Sequence, residues 1–176
     1  HDSIERYSKL GVDCITGEAR IVSPFEVEVN GKRLTTKNIV IASGARPLVP
    51  AIEGIDQIDY LTSDTVWALR EQPRRLLVLG GGPIGCELAQ AFRRLGSEVA
   101  IVNRSSKLQA REDDDVAEMV MQRFRDEGIA LYNGHEAKRF SVVKGVKKLV
   151  CAFEGSEVTI EFDQVLIALG RQANVS

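Results

Sequence analysis

Residues 76–79 are apolar without a break, as expected of a strand buried on both faces of a parallel sheet. The run leads directly into Gly80-x-Gly82-x-x-Gly85. Beyond it the apolar residues change to helical spacing, at Ile84, Leu88, Ala91, Phe92 and Leu95. After Gly96 a second strand is predicted over residues 98–102. Strand, glycine turn, helix and strand thus follow one another in about 30 residues, the setting in which this glycine pattern carries a dinucleotide.

The pattern upstream is of shorter pieces. Residues 4–10 read as the tail of an amphipathic helix whose start is missing. Strands are expected over 12–16, 19–22 and 25–29, with Asn30-Gly31 as the hairpin turn into a returning strand over 32–36. A buried strand over 38–42 should end at Ser43-Gly44. A linker containing Pro47 and Pro50 then runs over 45–61, and Ser63-Asp64 should cap a short helix through Arg70. Downstream, Glu112 to Asp115 open a helix with Val116, Met119, Val120 and Phe124 on one face, the acids favouring its dipole. This acidic run could hold a metal but reads as solvated helix capping. Gly128 stops the helix and a third parallel strand covers 129–132. Three antiparallel strands follow over 136–143, 147–153 and 158–162, turning at Gly145 and Gly155-Ser156. A last apolar run over 165–169 ends at Gly170-Arg171. The expected fold is α/β: a Rossmann-like parallel sheet with a βαβαβ core, an antiparallel three-stranded meander and flanking strands.

Each glycine of the motif has a separate task. Gly80 permits the tight turn, Gly82 lets the backbone approach a pyrophosphate, and Gly85 lets helix and sheet pack closely. The helix start offers free N–H groups to phosphate, and Ile84 and Pro83, which lie inside that start, join the candidate site although proline brings no N–H of its own. An acid at the end of the second strand would hold a ribose 2′-hydroxyl. This chain has Asn103 and Arg104 there. Asparagine does not repel a 2′-phosphate and arginine presents a planar fork to one, so the pair favours NADPH.

Composition narrows the rest. With 44% hydrophobic residues, 27% charged residues and a net charge of −2, the chain reads as an ordinary soluble protein with no electrostatic case for nucleic acid or membrane binding. Cys14, Cys86 and Cys151 form no C-x-x-C pair, which fits a reducing cytoplasm. Cys86, inside the predicted helix, reads as a packing residue. His1 and His135 lack zinc-ligand spacing, so no metal is expected.

Three segments carry a resemblance to a known family. Residues 41–47 (Ile-Ala-Ser-Gly-Ala-Arg-Pro) are similar to an A-T-G-x-x-P segment, with Ser43 for threonine. Residues 80–89 resemble G-G-G-x-I-G-x-E, and residues 168–174 resemble A-x-G-R-x-P-N, with Ala173 for proline. In this order and spacing they resemble the pyridine nucleotide-disulfide oxidoreductases, flavoproteins that include dihydrolipoamide dehydrogenase, glutathione reductase and mercuric reductase. The resemblance implies a partial FAD-binding domain over 1–66, an NAD(P)-binding domain over 67–170 and a return segment over 171–176. It implies hydride transfer between NAD(P)H and flavin in a homodimeric parent enzyme. The FAD fingerprint, redox cysteine pair and dimerisation domain of the family are not in this stretch, which should have no turnover by itself. By the same resemblance Glu87 would lie near the nicotinamide, and Pro83 stands where some members carry a gating tyrosine. Ala137 would touch the adenine side and Gly170 the other end of the dinucleotide, while Ala19, Ser43 and Gly44 would border FAD. Two other readings stay open: a freestanding dinucleotide-binding or regulatory module without catalysis, and a flavin reductase of the same fold without a disulfide.

Overall fold

In the computed structural model, which describes residues 3–175, the chain divides into two units between Ser43 and Gly44. The first begins with helix α1 (Ile4–Lys9), whose N-cap Ser3 accepts the Arg6 N–H at 3.3 Å. Three antiparallel strands follow: β1 (Ala19–Ser23), β2 (Glu26–Val29) and β3 (Lys32–Thr35), with Asn30-Gly31 closing the second hairpin. Two expected strands do not form. Residues 12–16 run as irregular chain, and the Thr16 carbonyl is bonded by the Asn30 side chain at 2.8 Å rather than by a strand. Residues 38–42 are also unpaired, leaving Val40 87% and Ile41 73% exposed. An apolar run becomes a strand only where its backbone bonds to another strand, and neither run pairs with β1, β2 or β3.

The second unit is three layers. Its centre is a parallel sheet of β5 (Tyr60–Leu61), β12 (Gln164–Ile167), β6 (Arg75–Leu79), β7 (Glu98–Asn103) and β8 (Ala130–Asn133), in that spatial order. Alternation along the strands decides which layer each residue serves. Leu76, Val78, Val99, Ile101 and Leu166 face helices α2 (Pro83–Leu95) and α3 (Asp114–Asp126). Leu77, Leu79, Val102, Val165 and Ile167 face the antiparallel meander of β9 (Glu136–Val143), β10 (Val146–Phe153) and β11 (Ser156–Phe162). Phe140, Leu149 and Phe162 fill the meander side, each side chain worth about 1.5–3 kcal/mol when fully buried.

Four expectations need correction here. The 45–61 segment is not a plain linker. It contributes β4 (Ala45–Pro47), which pairs with β13 (Arg171–Ala173), and the edge strand β5. The helix expected after Ser63-Asp64 is only a 3-10 turn, Val66–Ala68, and Thr62 and Thr65 make its local bonds. On α2 the buried residues are the small ones, Gly85, Cys86 and Ala89, while Leu95 and Ala91 are exposed, because close approach to the sheet excludes bulk. On α3 the inward residues are Ala117, Met121 and Phe124. Val116 and Met119 lie on the solvent side, Met119 73% exposed. The acidic run does start α3, with Asp114 paired to Lys107 at 2.6 Å. Among the described residues no set of His, Cys, Asp or Glu gathers at metal-binding distance, and no helix is long and apolar enough to cross a membrane.

At the N-terminal edge of the sheet Arg75 locks β6 to Asp163. Its backbone N–H donates to Asp163 at 2.8 Å and its guanidinium to the same carboxylate at 2.7 and 3.1 Å. These bonds hold the Asp163 carboxyl below the usual carboxylate range. A depressed folded-state value means the stabilisation is present above the unfolded carboxylate value of about 3.9 and is lost as pH falls through the folded one. Asp163→Asn should cost about 1 kcal/mol at neutral pH, discounted for a side chain 40% exposed. Calorimetric melting in neutral and in acidic buffer checks this. The wild type should lose its advantage over the variant on acidification, and a gap that persists in acid would show that the pair is not what stabilises this edge.

Candidate functional site

The order of the parallel strands creates the site. From β6 the chain proceeds to β7 and β8 on one side, while β12 is inserted on the other. Open α/β sheets bind ligands outside the carboxyl ends of the strands at such a reversal. Here Leu79 and Ile167 end side by side, with the Ala168 N–H donating to the Leu79 carbonyl at 2.8 Å. A cavity of about 640 Å³ opens there, in the range of small-molecule sites. Its floor is the glycine turn, one wall is Ile167 to Arg171, and the facing wall is Asn103 with residues 109–112.

The glycines differ in what surrounds them. Gly80 has φ +117°, and a β-carbon there would press on the Ala168 carbonyl. One on Gly85 would press on the Gly80 carbonyl. Around Gly82 nothing lies within 4 Å of where a β-carbon would stand, so this position opens to the cavity. Gly82 is also the N-cap of α2 and offers no capping side chain, and Pro83 follows as the first helical residue. Among the described residues no side chain caps this end of α2, and its free first-turn amides, those of Ile84 and Gly85 since Pro83 has none, form an arrangement that receives an anion.

The structure brings Gly80, Gly82, Pro83, Ile84, Asn103 and Gly170 into one lining. Gly85 sits beneath it as packing. Glu87 is exposed on α2 and Arg104 is exposed just past β7, both outside the lining. Ala137 packs against the meander core opposite Cys151, away from the cavity. Ala19 opens β1 and Ser43 ends the first unit, while Gly44 begins the second and accepts the Asn174 N–H at 3.1 Å.

Gly81, inside the stretch from Gly80 to Gly85 that the resemblance assigns to a pyrophosphate, also lines the cavity, and further lining residues were not foreseen. Gly81 is packed under Leu108 and Asn103, whose atoms would lie 2.6 and 2.9 Å from an added β-carbon. Leu48, Ser63 and Arg171 complete the rim. Arg171 donates to Ser63 at 2.9 Å, to Asp64 at 2.8 Å and to the Ala45 carbonyl, tying β13 and β4 to the 3-10 turn. That guanidinium holds the Asp64 carboxyl below its ordinary range. Gly81 had a sequence signal in the three-glycine run and Arg171 in the glycine-arginine pair after the last apolar run, whereas Ser63 was read as a helix cap and Leu48 had none. Cys86 lies under the turn with its Sγ 3.5 Å from the Gly81 carbonyl, and burial pushes its thiol up. Burial pushes Cys151 up to about 11. Neither is a thiolate at neutral pH.

The fold and this cavity define an α/β protein with a Rossmann-like parallel sheet and a glycine turn at its switch point. The family model for pyridine nucleotide-disulphide oxidoreductase matches residues 1–176, and the chain belongs to that family. It is 40% identical over 173 residues to a mercuric reductase of Lysinibacillus sphaericus, a match covering 98% of this chain and 31% of that protein. It is 33% identical over 170 residues to a dihydrolipoyl dehydrogenase of Acholeplasma laidlawii, covering 94% and 49%. Among solved structures, the HOCl-induced flavoprotein disulfide reductase RclA from Escherichia coli is similar, with a TM-score of 0.72 and 31% identity, covering 93% of this chain and 37% of that one. The chain spans from 31% to 49% of the length of these relatives.

Proposed function

We propose that the cavity binds a pyridine dinucleotide, NADPH in preference to NADH, as part of an FAD-dependent oxidoreductase. The observation that carries this is the open position at Gly82 between two glycines closed by backbone packing. That is what a pyrophosphate resting on the turn requires, and pure packing would not leave it open. In this reading the first-turn amides of α2 hold the pyrophosphate, and Ile84 packs behind it. The β7 end takes the adenosine ribose, with Arg104 towards a 2′-phosphate. The wall around Gly170 directs the other end of the dinucleotide along β12 and past Glu87. When bound, nicotinamide and flavin supply the hydride chemistry, and the protein supplies position. Residues 1–66 would belong to the flavin domain, with Ala19, Ser43 and Gly44 bordering FAD. The uncovered apolar residues Val40 and Ile41 support that placement, since they match a strand awaiting partners. The cytoplasm and a homodimeric whole protein follow from the same family reading.

Titration calorimetry of NADPH and NADH against the protein tests this. NADPH should bind roughly tenfold more tightly, the lower bound for a charge-assisted contact at an exposed edge. Higher salt and Arg104→Ala should both narrow the gap. Absence of binding by either nucleotide would overturn the proposal, and equal affinities would remove its NADPH preference.

A further inference from the structure

The peptide between Gly81 and Gly82 is held by groups outside the glycine turn. The Gln109 N–H donates to the Gly81 carbonyl at 2.8 Å, and the Cys86 thiol donates to the same oxygen at 3.5 Å. Gln109 makes its bond from a strained backbone. Its φ is +50°, a region that residues other than glycine rarely adopt. Among the described residues, the other non-glycine positions there are Asn30, Lys144 and Glu154. Each of those precedes a glycine in a hairpin turn, where the conformation is ordinary. Gln109 belongs to no hairpin. Leu108, fully buried, packs beneath Gly81 beside it, and the Glu112 N–H donates to the Gln109 carbonyl at 2.8 Å. Such surrounding contacts are what keep a strained residue in place, and strain of this kind collects at ligand sites.

A trans peptide is planar, and its C=O and N–H point in opposite directions. No peptide among the described residues is cis. With the Gly81 carbonyl turned towards Gln109 and Cys86, the Gly82 N–H faces away from both. It meets no acceptor among the described residues, and it stands where the turn opens to the cavity. Pro83 has no N–H, so the Gly82 donor counts for more here than in a turn followed by another residue. We propose that Gln109 and Cys86 are positioning residues, which hold the Gly81 carbonyl and thereby aim the Gly82 N–H at the pyrophosphate. Gln109 acts through its backbone, so position 109 requires a left-handed conformation more than a glutamine side chain. That side chain lies beside the Cys86 thiol and joins the two braces. The inference rests on the proposed dinucleotide reading.

The test is titration calorimetry of NADPH and NADH with wild type, Gln109→Val, Gln109→Gly, Cys86→Ala and the control Cys151→Ala. Valine, branched at its β-carbon, is strongly barred from positive φ. Gln109→Val should therefore release the Gly81 carbonyl and weaken both nucleotides alike, roughly tenfold, the lower bound for a hydrogen bond to a charged group. Glycine adopts that backbone freely and keeps the N–H, so Gln109→Gly should recover most of the loss. Gln109 itself lines the cavity, and a side chain that touched the ligand would be lost in glycine at least as fully as in valine. Equal losses in the two variants, or none in Gln109→Val, overturn the brace. Cys86→Ala should weaken both nucleotides roughly two- to fivefold, the worth of a weak thiol hydrogen bond. Cys151→Ala, which removes a buried thiol on the meander side, should not weaken them, and an equal loss there overturns the part given to Cys86. If Gln109→Val does not fold, nuclear magnetic resonance of protein carrying isotope-labelled glycine decides. The Gly82 amide signal should shift when either nucleotide is added, and shift less in Cys86→Ala. A silent Gly82 amide in a protein that binds overturns the proposal and leaves the dinucleotide reading standing. Failure of wild type to bind either nucleotide sinks that reading and the inference with it.

Discussion

Gly85→Ala should lower the melting temperature by roughly 6–12 °C, the equivalent of about 3 kcal/mol in a chain of this size. The added methyl would meet the backbone carbonyl of Gly80, which cannot swing aside as a flexible side chain can. Gly80 is itself wedged against the Ala168 carbonyl, so relief of one contact tightens the other. Alanine is the better helix former by about 1 kcal/mol, which offsets only part of the clash. The variant should therefore push α2 off the sheet and lose nucleotide binding as a consequence. Differential scanning calorimetry decides the matter: a melting point equal to wild type would mean that helix and sheet are not held at this distance.

Gly82→Ala should do the reverse, leaving the fold nearly intact while abolishing most of the binding. Its backbone, at φ −81° and ψ −177°, suits any residue, and the new methyl would stand in open space. The folding cost is confined to a poorer N-cap, under about 1 kcal/mol. That open space is where the pyrophosphate would rest on the turn. Displacing it from the helix amides forfeits about 1.5–3 kcal/mol, or roughly ten- to hundredfold in affinity. The measurement pairs a melting curve with a nucleotide titration on the same preparation. Full affinity in a folded Gly82→Ala would place the ligand elsewhere in the cavity and undercut the dinucleotide reading.

The contrast between Gly82 and Gly85 was already legible in the residue pattern, because a strand, a tight turn and a helix are local objects. Their steric demands act over a few residues. The same holds for the meander, where hairpin turns at Gly145 and Gly155 follow period-two strands and β9 begins and ends at Glu136 and Val143 as expected. Helix faces were less legible. Val116 and Met119 have the hydrophobicity of core residues, yet they lie on the outer side of α3, whose contact with the sheet is made by Ala117, Met121 and Phe124. Residues 38–42 show the same limit for strands, since apolar composition does not supply a partner edge.

The remaining parts of the site come from pairings distant in the chain. Leu48 and Arg171 meet because β4 and β13 form a ribbon across more than a hundred residues, and Ser63 joins them through the Arg171 guanidinium. Asn103 closes β7 where the sequence placed it, and its amide bonds to the Ser105 and Lys107 carbonyls were not legible there. Local sterics and periodicity, which act between near neighbours, were enough for the glycine turn, the parallel strand succession and the antiparallel meander. The insertion of β12 beside β6, the cavity it opens and the choice of Arg111 over Arg104 for its wall depend on long-range backbone pairing, which no window of neighbouring residues encodes.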